Sequence, residues 1–258
     1  MCPDKGVMNF KKPNRLNSNN IKKVIVFDLD DTLFEENDFV ISGFDAVAVD
    51  IAKTVTIKKQ LVLNYLLEQF YKKGRGKIFN AALLHFGLTD TPKKVARLVQ
   101  LYRHHPANIT FYPGVKSLLK RLHKNFYLAV VTDGATEIQT NKVNALCLQE
   151  LVDYVAYCWE IGAPKPDTKG YAIALDYFNI PANRAIIIGD HPINDIAAAK
   201  KLGALTIRVR TGRFSQLPNL KTTKPDFDIK IVTDIEQILP FIKNDQLAGL
   251  TDDAKHDA

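Results

Sequence analysis

Long apolar runs are scarce in this chain of 258 residues. The longest are pieces such as AIIIG and YLAVV, far short of the roughly 20 residues that a membrane helix needs. The opening MCPDKGVMNFKK has no uninterrupted apolar stretch of the signal-peptide kind. The sequence therefore predicts no membrane partner and a cytoplasmic setting. Cysteine is scarce too: Cys2, Cys147 and Cys158 are odd in number and lack metal-ligand spacing, which argues against a disulfide framework and predicts reduced thiols. A net charge of +7 favours anionic partners in a general way. Its sources are scattered pairs such as Lys11-Lys12, Lys58-Lys59 and Lys93-Lys94, with no platform of aromatics and arginines. Nucleic acid is accordingly not expected as the main partner.

Hydrophobic residues make up 46% of the chain, enough for a substantial core. The organisation reads in five pieces. Residues 1–20 are rich in Asn and Lys and predict a flexible arm, and residues 245–258 predict a flexible tail. Residues 35–107 carry apolar positions at helical spacing, such as Phe44, Val47 and Ile51, then Leu61, Tyr65 and Leu66, with no good strand among them. That block reads as an all-helical insert. Residues 21–34 and 108–244 alternate strand-like and helix-like segments. The expected strands after the insert are Tyr127–Thr132, Tyr154–Tyr157, Ala185–Gly189, Thr206–Val209 and Asp228–Val232, and the expected helices include Glu137–Leu146, Lys169–Phe178 and Ile193–Leu202. This alternation predicts an α/β fold, a Rossmann-like parallel sheet with helices on both faces, with ligands at the carboxyl ends of the strands.

The most informative segment is VIVFDLDDTLF, Val24 to Phe34. A run of Val, Ile and Phe ending in Asp-x-Asp reads as a buried strand that delivers Asp28 and Asp30 to one edge of the sheet. Two like charges about 4 Å apart repel by roughly 4 kcal/mol at an effective dielectric near 20. A positive partner is therefore expected, a divalent cation such as magnesium being the best fit to oxygen ligands and a shared proton the main alternative. A turn that merely caps the next element explains the pair equally well on its own. Other strand ends add to the pattern. YLAVV runs into Thr132, Asp133 and Gly134, AIIIG runs into Asp190 with Asp195 shortly after, and Lys165 stands between two prolines.

These four pieces, DLDDT, VVTDG, APKPD and IGDHPIND, in this order, resemble the haloacid dehalogenase superfamily of phosphohydrolases. The resemblance implies that residues 35–107 form a cap over the site. It also implies that Asp28 is the nucleophile that becomes an aspartyl phosphate. Asp30 would protonate the leaving oxygen and then activate water. Thr132, Asp133, Gly134 and Lys165 would hold the phosphoryl group, with Lys165 offsetting charge. Magnesium would be bound by Asp28, the Asp30 carbonyl and Asp190, with Asp195 either a ligand or a residue that orients Lys165 or its loop. A carboxylate at position 30 favours phosphate esters over carbon–halogen bonds, since halide departs without a proton. The implied enzyme is a magnesium-dependent phosphatase of small esters, sugar phosphates or nucleoside monophosphates, acting as a monomer or homodimer. A phosphosugar mutase and a non-catalytic binding protein are the alternatives. The turn Gly74-Arg75-Gly76-Lys77 is expected to be solvated, His104 and His105 to be hinge or surface residues, and Trp159 to pack or to line the entrance.

Overall fold

Four consecutive β-branched or aromatic residues, VIVF, form β1 (Val24–Phe27), the centre of the molecule in this computed structural model. Residues 23–243 are described; the expected arm and tail lie outside the described residues. Four helices follow, α1 (Glu36–Val55), α2 (Lys59–Lys73), α3 (Ile78–His85) and α4 (Pro92–His104). The alternating part then comprises α5 (Val115–Leu122), β2 (Tyr127–Thr132), α6 (Thr136–Ala145), β3 (Tyr154–Tyr157), α7 (Lys169–Phe178), β4 (Ala185–Gly189), α8 (Ala198–Leu202), β5 (Leu205–Val209), β6 (Phe227–Ile229) and α9 (Ile235–Lys243).

All six strands are parallel, in the order β3-β2-β1-β4-β5-β6. Side-chain alternation along β1 feeds two different layers. Ile25 and Phe27 join Val115, Leu118, Leu119 and Ile235 from α5 and α9 on one face. Val24 and Val26 join Tyr171, Ala174, Phe178 and Ala198 from α7 and α8 on the other. A central parallel strand covered on both faces has no polar side, hence the continuous apolar run.

The helical block has its own apolar core, built around Val40, Phe44, Val47, Ile51, Leu66, Phe79 and Leu98. Its last helix starts at a cap, where the Thr91 hydroxyl accepts from the Lys94 amide at 3.4 Å and Pro92 follows. Entry and exit are tied together: Phe34 bridges Phe111, and the Tyr112 amide donates to the Leu33 carbonyl at 3.0 Å.

Several expectations need correction. The segment expected as one helix over 193–202 begins instead as a π-helical turn, Pro192–Ala197, in which the Ile196 amide reaches back to the His191 carbonyl. The last strand is Phe227–Ile229, earlier than the apolar pattern suggested. His105 is buried, not a surface residue: its ring lies 4.8 Å from that of Phe39 and its Nδ1 is 2.7 Å from the Tyr102 carbonyl. Trp159 is exposed. Cys158 is a free, buried thiol, whereas Cys147 is disulfide-bonded, which an odd cysteine count did not foresee.

Candidate active site

Each strand of the sheet centre ends in a polar residue because the chain must leave the core there. Asp28 follows β1, Asp133 follows β2, and Asp190 follows β4. Lys165 enters from the loop between β3 and α7, and its buried ammonium lies 2.6 Å from Asp28 Oδ1 and 2.7 Å from Asp195 Oδ1. Burial alone would pull its pKa down, but Asp195 and Asp28 outweigh burial and hold it well above the usual lysine range. The loop is anchored in turn by Asp133, whose Oδ1 accepts from the Lys165 backbone amide at 3.0 Å. Asp133 and Gly134 line a cavity of about 270 Å³ with Asp28, Asp190, Lys165 and Arg213. Thr132 is buried with its hydroxyl unpartnered among the described residues, and it is not part of the cavity wall.

Asp195 is held on three sides. Its Oδ1 accepts from Lys165 and from the Tyr171 hydroxyl at 2.8 Å, and its Oδ2 accepts from the His191 amide at 3.0 Å. Gly189 permits this, since a Cβ there would lie 2.4 Å from the Asp195 carboxyl. Asp190 is placed differently. Its carbonyl accepts from the fully buried Arg208 guanidinium at 3.0 Å, but its Oδ2 is buried without a hydrogen-bond partner. Burial first, then Asp28, Asp195 and Asp31, push the Asp190 carboxyl up to about 10. Burial likewise raises Asp28 to about 7, against Lys165 and with Asp195 and Asp30 adding to the rise.

Oxygens of Asp28, Asp190 and Asp195 lie within 4.8 Å of one another. Once ionised, three buried carboxylates facing one lysine would leave negative charge uncompensated, and the orphaned Asp190 oxygen needs a partner. An all-oxygen donor set of this kind fits a hard divalent cation.

Asp30 does not join that cluster. The chain turns after β1, with Asp31 at φ +57°, and the Asp30 carboxylate faces α6 instead. Its Oδ1 takes the Lys142 ammonium at 2.6 Å and its Oδ2 the Gln139 amide at 2.8 Å. The repulsion expected between Asp28 and Asp30 is thus divided between two lysines, one for each carboxylate.

The family profile for haloacid dehalogenase-like hydrolases matches residues 25–209. The chain belongs to the haloacid dehalogenase-like hydrolase family. Within this family it is 29% identical over 230 residues to a glyceraldehyde 3-phosphate phosphatase of Pyrococcus furiosus, covering 86% of this chain and 94% of that protein. A phosphoserine phosphatase of Thermus thermophilus is 25% identical over 139 residues, 54% of this chain and 55% of its own. Among solved structures, a 2-haloacid dehalogenase of Pseudomonas syringae pv. Tomato superposes with a TM-score of 0.61 at 22% identity, covering 85% of this chain and 99% of that one. That likeness speaks for the fold.

Several residues at the site of this haloacid dehalogenase-like hydrolase were not legible beforehand. Lys142 and Gln139 lie on α6 at a spacing of three, which put them on one helical face, but nothing in the sequence marked that face as active. Tyr171 and Arg208 carried no signal, one reading as helix core and the other as a strand residue. His191, adjacent to Asp190, holds the local backbone: its Nδ1 accepts from the Ile193 and Asn194 amides, both at 3.1 Å, and caps the π-helical turn. Arg75 is not simply solvated. It reaches Glu36 at 2.6 Å on the cavity wall, where Arg213 approaches the same carboxylate at 3.3 Å.

Proposed function

We propose that this chain is a magnesium-dependent phosphomonoesterase acting on small phosphate esters, with the helical block as a cap that closes over the substrate. The observation that carries the reading is the Asp28 carboxylate, buried at a strand end between Lys165 and the unpartnered oxygen of Asp190. The named phosphatases among its relatives support the same chemistry.

In the proposed reaction an Asp28 oxygen bonds to phosphorus as the phosphorus–oxygen ester bond breaks, and the bonding pair leaves with the ester oxygen. Asp30 gives that oxygen its proton, releasing the alcohol. Water then attacks the aspartyl phosphate, giving a proton to Asp30, and the phosphorus bond to Asp28 breaks to free inorganic phosphate. Lys165 neutralises Asp28 and the phosphoryl oxygens throughout, with Thr132 and the backbone at Asp133 and Gly134 proposed as further donors. Magnesium, held by Asp28, the Asp30 carbonyl and Asp190, would supply charge neutralisation in both steps. The three donors already committed to Asp195 support an orienting role for it. The cavity volume of about 270 Å³ suits a small metabolite, in keeping with sugar phosphates or nucleoside monophosphates, and a cytoplasmic setting is part of the same proposal.

The test is phosphate release from a panel of esters with magnesium, with Asp28→Asn as the control. Release by the wild type that falls at least about 1,000-fold in Asp28→Asn is expected. A sugar phosphate isomerised without free phosphate, or no release from any ester, would overturn the reading.

A further inference from the structure

Both oxygens of the Asp30 carboxyl accept from one helix. Lys142 supplies a donor to one carboxylate oxygen and Gln139 a donor to the other, so the plane of the carboxyl and the rotamer of Asp30 are both fixed. Lys142 has no freedom to wander. Its side chain is 3% exposed, and its ammonium lies 5.0 Å from the centre of the Phe39 ring and 6.0 Å from that of Phe34. A lysine usually keeps its charge in water by extending its flexible stem; here the stem brings the charge inward to an ion pair with Asp30, where it also acts on the nearby Glu36 carboxylate. Gln139 is fixed as well, since its amide also reaches the Asp133 carbonyl. Gly134 lies beside it, where a Cβ would meet the Gln139 amide nitrogen at 3.1 Å. The less buried member of the Lys142–Asp30 pair, at 19% side-chain exposure, is the carboxylate, and both members line the cavity. A buried ion pair adds little stability over an apolar pair of the same size, so orientation is what this arrangement supplies.

We propose that Lys142 and Gln139 are positioning residues for Asp30, aiming its carboxyl at the ester oxygen of a bound phosphate. The inference rests on the phosphomonoesterase reading and on the proton transfer that Asp30 performs in it. In the first step the electron pair of the breaking phosphorus–oxygen bond goes to the ester oxygen, which needs the Asp30 proton if it leaves as an alcohol. A p-nitrophenolate leaves without one. Loss of aim should therefore slow formation of the aspartyl phosphate from alkyl esters far more than from p-nitrophenyl phosphate, whereas its hydrolysis is the same step for both; a merely structural role would lower the first step alike for the two esters.

The experiment compares kcat and KM of wild type, Lys142→Met and Gln139→Leu on glycerol phosphate and on p-nitrophenyl phosphate, with magnesium. The expected result is a fall in kcat/KM, which reads the steps through departure of the leaving group, of about 100-fold or more on the alkyl ester and less than about 10-fold on the aryl ester. In an Asp30→Asn background, Lys142→Met should add almost nothing, because its target is already gone. Equal losses on both esters, or a full additional loss in the Asp30→Asn background, would overturn the positioning role and leave the phosphatase reading standing. A wild type that hydrolyses neither ester overturns the phosphatase reading and the positioning role with it. If Lys142→Met loses its far-ultraviolet circular dichroism, Gln139→Leu, which removes no charge, decides the matter by the same ratio.

Discussion

Asp28 and Asp190 hold protons in the folded, metal-free protein that the unfolded chain releases near pH 4, because burial raises them to about 7 and about 10. Folding then takes up protons. The sign follows: this part of the stability is fully present in acid and is lost as pH rises through the folded values, by up to about 1.4 kcal/mol per pH unit for each group. A divalent cation needs both carboxylates ionised and so works against that loss. The difference in melting temperature between magnesium and EDTA should therefore widen from pH 6 to pH 8, as read by calorimetry; a difference independent of pH would contradict the assigned site. Tyr171→Phe tests the neighbouring contact. It removes one of three donors to Asp195, and should cost about 1 kcal/mol in denaturant unfolding while lowering kcat several-fold. Gly189→Ala should do more harm, since its Cβ must displace the Asp195 carboxyl; a loss of about 1–3 kcal/mol is expected.

At the scale of elements, α6 matters more than its position suggests. It presents Gln139 and Lys142 to Asp30 and, through Asn141, holds the carbonyls of Arg103 and His105 at the end of α4 at 3.0 and 2.9 Å. One helix of the sheet layer thus touches both the reacting site and the exit of the helical block. The start of α1 works similarly, with Glu36 shared between Arg75 of the α2–α3 turn and Arg213 of the loop after β5. Arg75 is half exposed, so Arg75→Ala should cost less than about 1 kcal/mol of stability. The expected effect is local: faster limited proteolysis in the turn at residues 74–77, with the melting temperature nearly unchanged. Phe39, packed between the Tyr102 and His105 rings, is the apolar counterpart of this contact. Phe39→Ala should cost about 3–5 kcal/mol, measured by urea unfolding.

Over the whole molecule, three apolar clusters divide the work: two cover the faces of the sheet and the third belongs to the helical block. Segment type was legible in the sequence because it depends on local periodicity, as in the two-sided run of VIVF and the helical spacing of Phe44, Val47 and Ile51. The motif residues at strand ends were legible for a related reason: a parallel sheet places every strand's carboxyl end on the same edge, so Asp28, Asp133 and Asp190 had to converge. The π-helical turn at Pro192–Ala197 was not legible, since it depends on His191 capping two amides and on Asp195 folding back over Gly189. By itself the sequence determined the alternating architecture, the run of helices after β1 and that the ends of β1, β2 and β4 bring Asp28, Asp133 and Asp190 to one sheet edge, all consequences of backbone period and strand polarity. Only the tertiary structure decided how charge is shared there, sending Asp30 to Lys142 and Asp28 to Lys165, because pairing across 112 and 137 residues of chain depends on how layers stack and leaves no local pattern.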